Sequence, residues 1–241
     1  MIPKKIHYCW FGGKKLPDLA NKCINSWKKY LPDYEIVEWN ESNFDVESCD
    51  YVREAYDSKK WAFVSDYARF KILYDNGGVY FDTDVEIIKP IDFIIEKGAF
   101  MGRQLGTQVA PGLGMAMEKH NLFCKDMLDM YNTIHFENYS NTSKLKTIVD
   151  YTTDYFCNKG YQDANTIQII DGIQIYPKEY FNPCDMKTNK IHVTEKTVSI
   201  HHYAGTWVDP YSKFRGQVDF MVRNMFGERI SNVLRYLFGR R

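Results

Sequence analysis

Two aspartates one residue apart, Asp82 and Asp84, carry the strongest chemical signal in the chain. Carboxylates at i and i+2 project to one side of an extended backbone. Held that close they repel unless a cation neutralises them, and hard oxygen ligands select Mg2+ or Mn2+. Asp-x-Asp alone is weak evidence, because surface turns contain it constantly. The apolar run Val79-Tyr80-Phe81 just before it strengthens the signal, since a buried strand then delivers the pair in a fixed orientation at the edge of a sheet. Upstream, Asp66 and Arg69 are three apart and share a helix face. They form either a surface ion pair worth under about 1 kcal/mol or a pair that binds hydroxyl groups. Later in the chain comes His201-His202-Tyr203-Ala204-Gly205-Thr206-Trp207. A neutral imidazole at the end of a short strand can ligate a metal, and the alternative is a pair of core or surface histidines. Trp10, closing the first apolar run, is either core filler or a platform for a flat ring.

The elements around these residues read as α/β. Residues 6–11 form a buried strand closed by Gly12-Gly13. Residues 17–30 form a helix with Pro17 in its first turn and Leu19, Cys23, Trp27 and Tyr30 along one face. Residues 34–39 alternate as a second strand, which completes a β-α-β opening. A helix over 60–76 carries one apolar stripe, Phe63, Tyr67, Phe70 and Tyr74, and Gly77-Gly78 ends it. Residues 85–88 stay extended until Pro90. Residues 108–117 are small and glycine-containing and receive no element. Helices follow over 121–134 and 143–158, then a strand-like stretch over 167–176 with a turn at Asp171-Gly172, and a short strand over 198–203. No repeat, low-complexity tract or linker divides the chain, so one domain is expected.

Bulk composition narrows the function. Aromatic residues make up 16% of the 241, which suits either a protein that grips bases and sugars or an aromatic-rich core. The 31 basic and 31 acidic residues cancel, so no overall field steers the chain to nucleic acid. The balance is uneven: Lys213, Arg215, Arg223, Arg229, Arg235, Arg240 and Arg241 face only Asp219 and Glu228 in the tail. The dispersed cysteines lack the spacing of a zinc knuckle or redox dithiol. The chain opens on a strand rather than a secretory leader, so a reducing, cytoplasmic location is expected. No run approaches the roughly 18 apolar residues needed to cross a bilayer.

Four motifs in order, Ile6-His7-Tyr8-Cys9-Trp10-Phe11-Gly12-Gly13, Ser65-Asp66-Tyr67-Ala68-Arg69, Gly77-Gly78-Val79-Tyr80-Phe81-Asp82-Thr83-Asp84 and His202-Tyr203-Ala204-Gly205-Thr206-Trp207, resemble glycosyltransferase family 32. That group has a sugar-binding region with a DXD motif and includes bacterial polysaccharide transferases and fungal mannosyltransferases. The series is also similar to the glucosylating domain of large clostridial toxins. The resemblance implies a GT-A-type fold, a Rossmann-like mixed sheet flanked by helices, over residues 1–215, with a small helical extension over 216–241. It implies retaining transfer of a hexose or N-acetylhexosamine from a nucleotide-diphosphate sugar to a growing saccharide, with Mn2+ or Mg2+ as cofactor. By residue it implies that Trp10 stacks on the donor base and that Asp66 and Arg69 bind donor-sugar hydroxyls. Tyr80 lines the same pocket, and Asp82 reaches ribose, sugar and metal. Asp84 is the principal metal ligand, His202 completes the metal shell with neighbouring His201 as the competing choice, and Trp207 touches the diphosphate. Asp66, Arg69, Asp82 and Asp84 are thus the expected catalytic set.

Ile230, Val233, Leu234, Leu237 and Phe238 make an apolar stripe among the tail arginines. Such a basic amphipathic helix either lies on an anionic membrane surface, as suits extension of a lipid-linked acceptor at the inner face of the cell membrane, or packs on protein. Two other functions compete. A metal-dependent phosphoryl transferase or hydrolase would want a phosphate loop or further acidic ligands. A carbohydrate-binding module has no need of Asp66 and Arg69 on a helix beside the Asp82-Asp84 strand.

Overall fold

The computed structural model describes residues 1–136, 146–185, 188 and 190–205. The chain opens with β1 (Lys5–Cys9), α1 (Asp18–Tyr30) and β2 (Glu35–Trp39), and then runs through α2 (Asp50–Asp57), α3 (Trp61–Asn76), β3 (Gly78–Tyr80) and β4 (Val85–Ile87). Next come α4 (Asp92–Ile95), β5 (Phe100–Arg103), β6 (Val109–Met117), α5 (Leu122–Tyr131) and α6 (Ile148–Asn158). The hairpin β7 (Gln168–Ile170) and β8 (Ile173–Tyr176), α7 (Lys178–Phe181) and β9 (Ser199–His201) complete the described elements. Seven strands form one sheet in the order β2-β1-β3-β6-β5-β8-β7, and β4 pairs with β9 in a separate two-stranded sheet. Strands β1, β2 and β3 are parallel, while β6 runs against both of its neighbours. The mixed α/β sheet flanked by helices is the fold class expected.

Alternation along the strands feeds two cores. On one face Tyr80, Met101, Met115 and Met117 pack with residues of α2, α3, α5 and α6. On the other, Ile6, Tyr8, Val79, Phe81, Phe100 and Ala116 meet α1, α4 and α7. Each valine, isoleucine, phenylalanine or methionine side chain fully buried this way contributes about 1.5–3 kcal/mol. Helix α3 departs from the single stripe expected. Val64, Asp66, Tyr67, Ala68, Arg69, Phe70, Ile72 and Leu73 are all buried, while Phe63 and Tyr74 are only half-buried. The helix lies between the sheet and its neighbours α2 and α5, so its polar residues are drawn inside as well.

Gly77 and Gly78 end α3 at φ +66° and +107°, as expected of a glycine terminator. The room there is also tight: a β-carbon on Gly77 would stand 2.8 Å from the Lys119 amide nitrogen. The Gly77 carbonyl accepts a 3.0 Å hydrogen bond from Nε2 of buried His7, whose Nδ1 in turn accepts from Trp39 Nε1 at 3.0 Å. Both ring nitrogens are thereby assigned, and burial lowers the His7 pKa to about 4.

Strand β6 was not expected, because Pro111, Gly112 and Gly114 are poor strand residues. It is nonetheless buried along its whole length. Met101 pairs with Met115 but the next residue, Gly102, pairs with Ala110, so residues 111–114 bulge out of the β5 ladder. The Pro/Gly run is that bulge.

Residues 1–184 with 191–202 make one compact unit. The expected boundary at 215 and the amphipathic extension 216–241 lie outside the described residues. Among the described residues, no helix is long and apolar enough to cross a membrane.

Candidate active site

Asp82 follows β3 at its carboxyl end. The sequence reading placed Asp82 and Asp84 on an extended chain, but the backbone reverses there: the Val85 amide donates to the Asp82 carbonyl at 3.0 Å. The turn is set from both sides, with the Asp82 amide donating to the Gly112 carbonyl of the β6 bulge at 3.2 Å and Val85 entering β4. Strand β4 is fixed to α1, since Trp27 Nε1 donates to the Val85 carbonyl at 2.8 Å and the Ile87 amide donates to Ser26 Oγ at 2.9 Å.

The β4–β9 ladder then decides which histidine reaches the carboxylates. His201 lies opposite Val85, and its Nε2 is 3.0 Å from Asp84 Oδ1. One ligand atom each from Asp82, Asp84 and His201 lie within 4.8 Å of one another. Two carboxylate oxygens and an imidazole nitrogen are a donor set that fits a divalent cation. His202, the choice implied by the resemblance, sits elsewhere because successive strand residues face opposite ways. Its Nε2 meets Glu86 Oε2 at 2.8 Å, and Lys22 Nζ reaches the same oxygen at 2.7 Å. Burial alone would raise the Glu86 pKa, but Lys22 and His202 hold it below the usual carboxylate range.

Asp66 and Arg69 are not a surface pair. Arg69 is 4% exposed and Asp66 8%, which moves them from the surface class of ion pair to the buried one. Arg69 Nη2 donates to Asp66 Oδ1 at 2.9 Å, its Nε donates to the Ser65 carbonyl at 3.0 Å, and Nη1 lies 3.3 Å from Asp82 Oδ1. The guanidinium also stands 4.8 Å over the Tyr80 ring. Tyr80 and Asp82 are i and i+2 from the end of β3, and Tyr80 faces the core that α3 helps to form. That is how a helix residue reaches both. Tyr80 is fully buried and its hydroxyl donates to Asp82 Oδ1 at 3.3 Å, so it bears on the site through Asp82 and Arg69. Burial pushes the Asp66 carboxyl up to about 7, with Arg69 pulling against that and Asp82 adding repulsion. Burial acts to lower Arg69, but Asp82, Tyr80 and Asp66 together hold it above its ordinary value.

Trp10 follows β1, one strand from β3 and at the same sheet edge. It is half-buried, and its indole N–H donates to the Lys14 carbonyl. Trp207 lies outside the described residues. Sequence reasoning passed over Glu86 and Gly112. Only the strand pairing could have marked them, since neither belongs to a local motif.

Residues 17–101 match the family described as glycosyltransferase sugar-binding region containing DXD motif. The chain is 29% identical over 107 residues to inositol phosphoceramide mannosyltransferase 1 of Schizosaccharomyces pombe, covering 42% of this chain and 33% of that protein. It is 27% identical over 207 residues to uncharacterized glycosyltransferase L373 of Acanthamoeba polyphaga mimivirus, covering 79% of this chain and 76% of that one. The chain thus spans about a third of the fungal relative's length. Among solved structures the PaToxG glycosyltransferase superposes with a TM-score of 0.51 at 21% identity, over 64% of this chain and 69% of that chain. This likeness bears on the fold, which is the GT-A arrangement. The Asp82-Thr83-Asp84 turn lies inside the matched span, so over residues 17–101 the chain is similar to the sugar-binding region of DXD-containing glycosyltransferases.

Proposed function

We infer that the chain transfers a hexose or N-acetylhexosamine from a nucleotide-diphosphate sugar to a growing saccharide, with retention of configuration and with Mn2+ or Mg2+ held by Asp82, Asp84 and His201. The observation that carries this reading is the convergence of those three side chains beside a buried arginine at the sheet edge. A nitrogen ligand in the set favours Mn2+ over Mg2+, which prefers oxygen throughout. A bound divalent cation supplies charge compensation for a departing diphosphate. The protein's own part is positioning. Arg69 holds Asp82 and Asp66 in fixed positions, and those carboxylates would orient a donor sugar, which converts binding energy into orientation. Asp66 is committed to Arg69, Asp82 to Arg69 and Tyr80, and Asp84 to His201. This supports a route in which the donor's own phosphate oxygen, rather than a side-chain carboxylate, takes the acceptor's proton.

UDP-galactose, UDP-glucose and UDP-N-acetylhexosamine are the first donors to try, and the mannosyltransferase relatives make GDP-mannose the competing assignment. Calorimetry with UDP tests the reading: binding is expected with Mn2+ and not without it, and Asp84→Ala is expected to abolish both metal-dependent binding and turnover. Wild-type turnover in that variant would end the scheme. A panel of the four donors, scored by released nucleoside diphosphate, then assigns the sugar. The acceptor belongs, on this reading, to capsular, exo- or O-antigen polysaccharide assembly on the cytoplasmic side, with the basic stripe of 216–241 resting on anionic lipid. Pelleting with anionic liposomes that persists when 218–241 are removed would count against that contact.

A further inference from the structure

Gly112 lies in the β6 bulge with its carbonyl accepting from the Asp82 amide at 3.2 Å. The side-chain side of this glycine is occupied by Asp82 itself. A β-carbon there would stand 2.0 Å from Asp82 Oδ2, 2.9 Å from its Cγ and 3.2 Å from Arg69 Nη1. The backbone conformation is not the reason for glycine, since Gly112 is not among the residues of positive φ, unlike Gly114 two residues on at φ +144°. What the position lacks is room. The Asp82 carboxylate rests where a side chain would otherwise be, with its other oxygen toward Arg69 and the Tyr80 hydroxyl.

We propose that Gly112 is a positioning residue for the metal and donor site: its missing side chain is the space that lets Asp82 lie between Arg69 and the Asp84–His201 pair. This rests on the reading of Asp82 as a metal ligand. A methyl group at 112 leaves the strand its hydrogen bonds but turns the carboxylate off Arg69 and out of reach of the other two ligands. The closest collision at 112 is with Asp82 and the contact with Arg69 is looser, so most of the effect of substituting Gly112 is lost once the colliding carboxylate is gone.

The test is a double-mutant cycle on the full chain, using Gly112→Ala, Asp82→Ala and the pair together, with Asp84→Ala as a reference for the metal. One readout is Mn2+ affinity without nucleotide. Gly112→Ala is expected to weaken it about 10- to 100-fold, as loss of an orienting neighbour does. The second readout is the thermal midpoint of the metal-free protein, which needs no ligand. Gly112→Ala is expected to lower it in the wild-type background and to lower it by much less in the Asp82→Ala background, where only the looser contact with Arg69 remains. Equal lowering in both backgrounds overturns the proposal, because the glycine would then serve the strand and not the carboxylate. Wild-type Mn2+ affinity in Gly112→Ala, alongside a loss in Asp84→Ala, overturns it while leaving the metal reading intact. Absence of Mn2+ binding in the wild type removes the metal reading and with it the functional part of the proposal.

Discussion

Arg69 lies buried against two carboxylates and an aromatic face, so removing its charge leaves Asp66 and Asp82 without their counter-ion. Arg69→Ala is expected to cost about 3–5 kcal/mol of stability, as breaking a buried pair does, measurable by equilibrium denaturation. Arg69→Lys should lose less stability but still disturb the site, because an ammonium cannot reproduce the fork of donors. A cost under about 1 kcal/mol for the alanine variant would mean that the pair behaves as an exposed one. The two histidines offer a sharper comparison. His201→Ala should weaken Mn2+ binding, and His202→Ala should leave it near wild type, since His202 is turned to Glu86. Titration of each variant followed by electron paramagnetic resonance would separate them, and the opposite order of effects would return the ligand role to His202. The sequence showed Asp82 with Asp84 and Asp66 with Arg69 because those pairings depend on local spacing. It did not show that Arg69 reaches Asp82, or which histidine meets Asp84, because both depend on how distant segments pack.

Strands and turns explain the rest of what was and was not legible. The β-α-β opening, the glycine terminator of α3 and the β7–β8 hairpin with its turn at Asp171-Gly172 stand where the sequence pattern puts them, although burial on α3 extends beyond its apolar stripe. Strand β6 defeats the same reasoning, since Pro111, Gly112 and Gly114 oppose strand formation, and it is the neighbouring strands and the Asp82 turn that hold them there. The helix over 143–158 begins later than expected among the described residues, because Thr147 and Asp150 form a capping box that starts α6 at Ile148. His7 joins three elements, lying on β1 and bonding the residue that ends α3 and a tryptophan of β2. Its folded pKa of about 4 lies below the ordinary 6.5. The unfolded chain therefore takes up a proton below pH 6.5 that the folded chain declines until near pH 4. The contribution is full above pH 6.5 and is lost as pH falls through that window, by about 3 kcal/mol at its acid limit. Denaturation midpoints from pH 7 to 4 should fall more steeply for the wild type than for His7→Gln. Parallel profiles would show that His7 does not carry the dependence.

For the molecule as a whole, a cation bound only by the folded state must stabilise it. At one hundred times its dissociation constant, Mn2+ should add about 2.7 kcal/mol, seen as a rise in thermal midpoint that EDTA reverses and Asp84→Ala abolishes. An unchanged midpoint in the wild type at saturating Mn2+ would argue against a seat that forms only on folding. The order of assembly follows from the small ladder. All seven strands of the large sheet have been made by Tyr176, whereas β9 begins at Ser199, and the His202–Glu86 contact joins positions 116 apart. Domains emerge from the ribosome amino end first. A nascent chain can therefore lay down its entire main sheet while Asp82 and Asp84 still wait for an imidazole and a partner strand. A polypeptide released before residue 199 would carry every strand of the large sheet and lack both the imidazole and the strand that meet Asp84 and Val85.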